Sequence, residues 1–270
     1  MSEGAASTIA PGAIWLIGCG NMAGAMLTRW LETGLDAGRV TVVRPSGKPV
    51  ANGVRVLTEV PDEPGPAILM LGFKPHHLAD VAPTLAAASS GATVVSILAG
   101  AEIAALRHSL PKAAAIVRAM PNLPVAIGKG VVGLHGDRRV DVDDLMRPLG
   151  LVEWIADERH FDAVTALAGS GPAFLYRFID ALAQAGAAIG LSVDQSQRIA
   201  LSTVEGSALL AASSDVRPAD LAERVASKGG STRKGLDVLD TDDALVRLLT
   251  ETLMAAQARN AEMAKASRDG

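Results

Sequence analysis

Short apolar runs of strand length alternate with helix-period segments through the first part of the chain, and then the runs cease. Ala13–Ile17, Val40–Val43, Ala67–Gly72 and Ala92–Ile97 are apolar at nearly every position. Strands covered on both faces require this, and with the shorter Val54–Leu57 the runs predict a parallel sheet. Ala113–Arg118, Gly130–Leu134 and Leu151–Ile155 are expected to extend it. The first intervening helix carries Met22, Met26, Leu27, Trp30 and Leu31 on one face, and another begins near His76. Beyond about Phe161 the grammar changes to Ala-rich helical segments, predicted over residues 171–190, 194–213, 217–227 and 241–265. The chain therefore reads as an α/β domain followed by an all-helical one, joined near residues 156–162.

The first strand meets the first helix at Gly18-Cys-Gly-Asn-Met-Ala23. Strand, glycine turn and helix in that order can hold a nucleotide pyrophosphate. Gly18 permits the tight turn, Gly20 lets the backbone approach the phosphates, and the small Ala23 lets the helix pack near the strand. The helix start at Asn21 and Met22 presents unpaired N–H groups and a positive dipole end to the anion. Cys19 reads as a small residue tolerated in the turn rather than as a catalytic thiol. At the end of the second strand, where NAD-preferring proteins carry Asp or Glu, stands Val43-Arg-Pro-Ser-Gly-Lys48. No carboxylate repels a 2′-phosphate there, and Arg44, Ser46 and Lys48 can bind one, so NADPH is the expected coenzyme and NADH the alternative.

At 270 residues the chain is long enough for two domains. A net charge of −4 without a basic stripe argues against nucleic acid. No apolar run reaches the roughly 18 residues of a membrane span. Met1–Pro11 has neither the basic start nor the apolar block of a signal peptide, so a cytoplasmic location is expected. One cysteine leaves no intramolecular disulfide, and His76 and His77 have no nearby ligand set, so no metal is expected. Trp15, Trp30 and Trp154 are expected to pack around the sheet. Ala and Gly crowd the segment from Ala181 to Gly190. Such helices approach closely but bury little apolar area each, so this domain is expected to complete its core against a second copy of the chain. The fold class is thus α/β, with a Rossmann-type NAD(P)-binding domain over residues 1–158 and an all-helical dimerisation domain over residues 159–270.

Four further segments stand between these elements: Gly72-Phe-Lys-Pro75, Arg118-Ala-Met-Pro-Asn-Leu-Pro124, Thr165-Ala-Leu-Ala-Gly-Ser-Gly-Pro-Ala173 and Ser227-Lys-Gly-Gly-Ser-Thr232. Gly169-Ser-Gly-Pro172 has the form of a tight turn opening a helix. The paired glycines of Gly229-Gly230-Ser231-Thr232 can curl so that successive N–H groups converge on an anion, although residues alone also fit a plain loop between helices. In their order and spacing, over nearly the whole chain, the segments resemble the pyrroline-5-carboxylate reductase family. The resemblance implies an interlocked helical dimer, often assembled into larger rings such as decamers, that reduces 1-pyrroline-5-carboxylate to L-proline with NAD(P)H. It implies that Lys74, Pro75, Met120, Asn122, Ser170 and Gly171 line the coenzyme beside Gly18, Gly20, Asn21 and Met22. It places Thr165 near the substrate nitrogen as the catalytic candidate, with Asp215, Ser227, Gly229, Gly230, Ser231 and Thr232 around the substrate.

A cyclic imine can bind already protonated, so orientation and a matched pocket can carry most of the acceleration without a strong acid. Three positions depart from the family pattern. Lys228 stands where Pro is usual, Leu123 replaces Thr, and Arg233-Lys234 follow the anion loop in place of uncharged residues. These charges are either solvated or suited to a more anionic substrate, which keeps a related cyclic imine open. A 3-hydroxyacid dehydrogenase would need a Lys in the first long helix after the domain join, and Pro172–Gly190 holds Arg177 and no Lys. A non-catalytic NADPH-binding sensor or scaffold is the alternative of another class, and the retained anion loop argues against it.

Overall fold

A computed structural model describes residues 12–269, with side chains through residue 262. The Met1–Pro11 segment, on which the expectation about a leader rests, lies outside them. Eight strands form one sheet: β1 Ile14–Ile17, β2 Val40–Val43, β3 Arg55–Leu57, β4 Ile68–Leu71, β5 Thr93–Ser96, β6 Ala115–Pro121, β7 Gly130–Gly136 and β8 Gly150–Trp154. Their order is β3-β2-β1-β4-β5-β6-β7-β8. The first six run parallel, and β1, β2 and β4 are buried at every position. The chain steps outward from β1 to β3 and returns to β4 on the other side of β1. The carboxyl ends of β1 and β4 therefore flank the point where open α/β sheets bind ligands. Strand register sets Ile17, Val43, Leu71, Ser96 and Arg118 in one row along that edge.

The last two strands extend the sheet, but β7 runs antiparallel to β6 and β8 runs parallel to β7. Only residues 122–129 separate β6 from β7, and a parallel return needs a crossover of about a dozen residues or more. The helices are α1 Asn21–Glu32, α2 Leu78–Val81, α3 Ile103–Ser109, α4 Asp143–Met146, α5 Phe161–Val164, α6 Gly171–Ala188, α7 Val193–Ala212, α8 Pro218–Val225, α9 Ser231–Asp240 and α10 Ala244–Asp269. Met26, Leu27 and Trp30 of α1 are buried in one cluster with Leu16, Val42 and Met70. Trp15, Leu69, Leu71 and Val94 form a second cluster with Leu85 and Leu106. Each such side chain contributes roughly 1.5–3 kcal/mol by leaving water, which anchors the strand ends that carry the site.

The chain divides into two compact units, one ending at Ser170 and resuming at Ala256, the other Gly171–Ala255. In the second unit α6 packs on α7, where a Cβ on Gly186 would lie 3.1 Å from Ser196 Oγ. The small residues of α6 thus set the approach of the two helices. Ser192 and Gln195 close a capping box that starts α7. Leu175, Tyr176 and Phe178 of α6, Leu209 and Leu210 of α7 and Leu248 of α10 remain exposed, more large apolar surface than a lone helical unit usually leaves in water. The sequence did not announce α9, because a ten-residue helix entered through Gly229-Gly230 and interrupted by Gly235 reads as a glycine-rich loop. No helix among the described residues is long and apolar enough to cross a membrane.

Candidate functional site

After β1 the backbone turns at Gly18 with φ +80°, and the Gly18 amide donates to Val43 O at 2.8 Å. A Cβ there would meet Gly72 O at 2.8 Å, so both the left-handed conformation and the close approach require glycine. Gly20 is the N-cap of α1, lends no side chain to capping, and has no neighbouring heavy atom within 4 Å of where its Cβ would be. No acidic residue stands in the first turn. The positive end of α1, with the amides of Asn21 and Met22, thus opens onto free space at the carboxyl edge of the sheet. This cradle fits a dinucleotide pyrophosphate.

Arg44 follows β2 directly and is half-buried. Its carbonyl accepts the Gly47 amide at 3.0 Å, closing a turn that carries the exposed Ser46 and Lys48. Burial pushes the Cys19 thiol up in pKa, with the Arg44 charge partly offsetting the rise, so Cys19 is a protonated filler of the turn rather than a thiolate. Lys74 is exposed as the N-cap of a single 3-10 turn, Pro75–His77, beyond β4.

Met120 lies within β6 rather than in a loop after a strand, as the sequence suggested. The antiparallel ladder pairs Met120 with Gly133 and Pro121 with Val132, so pairing with β7 carries the strand through both residues. Asn122 is buried and acts as a bracket. Its side-chain amide donates to Ala168 O at 3.0 Å, and its Oδ1 accepts the Val131 amide at 2.8 Å. Residues 165–169 form one π-helical turn after α5. Within it Thr165 Oγ1 donates to Phe161 O at 2.9 Å, and a Cβ on Gly169 would lie 2.7 Å from the Met120 methyl. Met120, Asn122 and Thr165 are thereby brought together. Ser170 does not begin a free helix start, because its amide donates to Thr165 O at 3.0 Å as the π turn winds on toward α6.

In the second unit Gly229 adopts φ +75° and Gly230 is the N-cap of α9. Ser231 and Thr232 are therefore the first residues of a helix, not members of a loop. The Gly230 amide donates to Ser227 O at 2.9 Å, and no side chain caps α9. The first-turn amides and the two hydroxyls are left at a positive helix end, a geometry suited to a carboxylate. Asp215 is exposed in the connection between α7 and α8. Arg233 is paired with Glu223, whose hydrogen bond holds that carboxyl below its usual range, and Lys234 lies 3.6 Å from Asp237.

Residues 158–263 match the family described as Pyrroline-5-carboxylate reductase dimerisation, and residues 13–100 match NADP oxidoreductase coenzyme F420-dependent. The pyrroline-5-carboxylate reductase of Pseudomonas aeruginosa is 32% identical over 265 residues, covering 93% of this chain and 97% of the relative. The chain belongs to the pyrroline-5-carboxylate reductase family. The solved reductase of Coxiella burnetii superimposes with a TM-score of 0.85 at 29% identity, over 93% of this chain and 98% of that one. A Plasmodium falciparum pyrroline carboxylate reductase structure, described with NADP bound, shares the fold at a TM-score of 0.79, 24% identity and coverage of 96% and 100%. For a reductase of this family, one feature escaped the sequence reading. Arg118 is the buried charged residue of β6, held at 2.7 Å by Glu158. An arginine interrupting Ala115-Ile-Val-Arg-Ala was the available signal.

Proposed function

We propose that this chain reduces 1-pyrroline-5-carboxylate to L-proline with NADPH, acting in the cytoplasm as a homodimer through its helical part, with a larger ring such as a decamer as the assembled form. In this reading residues 1–158 bind the coenzyme and 159–270 serve substrate binding and dimerisation. The observation that carries it, beside family membership, is the open space over Gly20 at the positive end of α1. Residues 44–48, just beyond β2, carry Arg44 and Lys48 and no carboxylate. That combination suits a dinucleotide bearing an extra phosphate. The exposed apolar surface of α6, α7 and α10 supports association with a second copy.

NADPH, when bound, supplies the hydride. Asn21 and Met22 amides hold the pyrophosphate, Arg44, Ser46 and Lys48 the 2′-phosphate, and Lys74, Pro75, Met120, Asn122, Ser170 and Gly171 the coenzyme's remaining edge. The amides and hydroxyls of Ser231 and Thr232, with Ser227, Gly229 and Gly230 shaping the turn, bind the substrate carboxylate, and Asp215 faces the amine. The proton of Thr165 is committed to Phe161 O, which leaves its oxygen lone pairs to accept. A hydroxyl in that state orients a protonated imine N–H and need donate no proton. Hydride addition to the iminium carbon then yields the neutral amine directly, so positioning carries the step. Glu223 and Asp237 take up the charge of Arg233 and Lys234, which leaves Lys228 as the one departure favouring a more anionic imine. NADPH consumption measured with 1-pyrroline-5-carboxylate and with piperideine-6-carboxylate tests this. Faster turnover of the six-membered ring would replace the substrate assignment, and NADPH binding without turnover of either would leave a non-catalytic binder.

A further inference from the structure

We infer that Arg118 and Glu158 form a positioning pair that holds the Met120–Asn122 segment and the Thr165 turn in working register. The inference rests on the reductase reading above. Arg118 is the one charged residue among those buried in the described chain, 6% exposed. Its guanidinium donates to Glu158 Oε1 at 2.7 Å and lies 4.3 Å from the centre of the Phe161 ring. The same carboxylate oxygen accepts the Ile103 amide at the start of α3, at 2.9 Å.

Three chain segments meet at this oxygen. β6 runs two residues on from Arg118 to Met120, the turn at Glu158 leads through α5 to Thr165, and α3 follows residues 97–102 from the end of β5. The path from Arg118 to Thr165 is only two contacts long, because Phe161, beneath the guanidinium, accepts the Thr165 hydroxyl hydrogen bond. A buried ion pair is a poor source of stability, since desolvation of both charges offsets most of their attraction. It does fix geometry, through a charge-assisted hydrogen bond and a planar cation stacked on a ring. Asn122 supplies a second tie, between the end of β6 and the π turn.

The test uses the assembled enzyme, with Arg118→Met, Arg118→Lys and Glu158→Ala. For Arg118→Met and Glu158→Ala the expected result is a kcat lower by about tenfold or more per folded protein, with the NADPH dissociation constant, read by coenzyme fluorescence, moved by a smaller factor because the pyrophosphate and 2′-phosphate contacts lie on other elements. Arg118→Lys, which keeps the charge but loses the fork and the stacking, should recover part of kcat. The methyl resonance of Met120, assigned with Met120→Leu in methyl-labelled protein, should shift in both disruptive variants. Glu158, 28% exposed, is the safer site should Arg118→Met fail to fold. Parental kcat and an unmoved Met120 methyl in Glu158→Ala would overturn the positioning role. No turnover of the imine by the unaltered enzyme would instead overturn the reductase reading, and the inference with it.

Discussion

Gly18 and Gly20 are two residues apart, yet alanine at each should fail differently. At Gly18 the backbone has φ +80°, which costs an L-residue about 1–2 kcal/mol. The new methyl would also press on backbone atoms, 2.8 Å from Gly72 O and 3.1 Å from Phe73 N, and overpacking of this kind costs about 1–3 kcal/mol. Gly18→Ala should therefore destabilise the fold by roughly 2–5 kcal/mol. At Gly20 the backbone is extended and nothing lies within 4 Å of the added carbon. The fold should lose only about 1 kcal/mol, the difference between glycine and alanine as N-cap. The methyl would instead occupy the space assigned to the pyrophosphate. Losing one or more charge-assisted amide bonds there costs about 1.5–3 kcal/mol, or roughly 10–150-fold in the NADPH dissociation constant. Chemical denaturation and NADPH fluorescence titration of both variants read the two quantities separately. Gly20→Ala protein that binds NADPH as tightly as the parent would refute the cradle.

Arg44→Ala should weaken NADPH by about 1.5–3 kcal/mol and leave NADH within twofold or so, as competitive titrations would show. Thr232→Ala should raise the KM for the imine by the equivalent of about 1–3 kcal/mol with the NADPH KM unaltered, whereas Thr165→Ala should lower kcat/KM by a similar amount. Steady-state kinetics with each substrate varied in turn checks both. Acid should expose a stabilising contact at Asp137. Burial alone would raise this carboxyl, but hydrogen bonds from Arg107 and the Ile116 amide and the charges of Arg107 and Arg138 hold it below the usual range. The unfolded chain then binds more protons at low pH, so stability present above about pH 4 is lost as pH falls through the folded-state pKa. Urea unfolding at stepped pH should show a shallower acid loss for Asp137→Asn than for the parent.

The strands were legible because burial on both faces writes an unbroken apolar run, as in Ile14–Ile17 and Ile68–Leu71, and the glycine turn was legible because Gly18 has no substitute at its φ. The reversal of β7 was not, since hydrophobic pattern carries no strand direction and only the brevity of residues 122–129 enforces it. Helix α9 escaped because it is short and bracketed by turn residues. Gly229 and Gly230 lead into it and Gly235 lies inside it, so Ser231 and Thr232 read as loop although the chain winds into a helix there. Gly169-Ser-Gly-Pro172 read as a turn opening a helix because Pro172 marks a helix start, and the π turn that takes up the Ser170 amide has no local sequence mark. Arg118 looked like a family letter, and only the folded chain shows the carboxylate and the ring that hold it.

Hydride passes directly to the imine carbon of a five-membered ring carboxylate, and incubating the enzyme with 1-pyrroline-5-carboxylate and NADPH deuterated at the transferable position of nicotinamide C4, then locating the label by NMR, tests this. One deuterium per proline formed is expected, on the ring carbon beside nitrogen that does not bear the carboxylate. Coenzyme left unconsumed, or proline without label at that carbon, would rule out direct transfer.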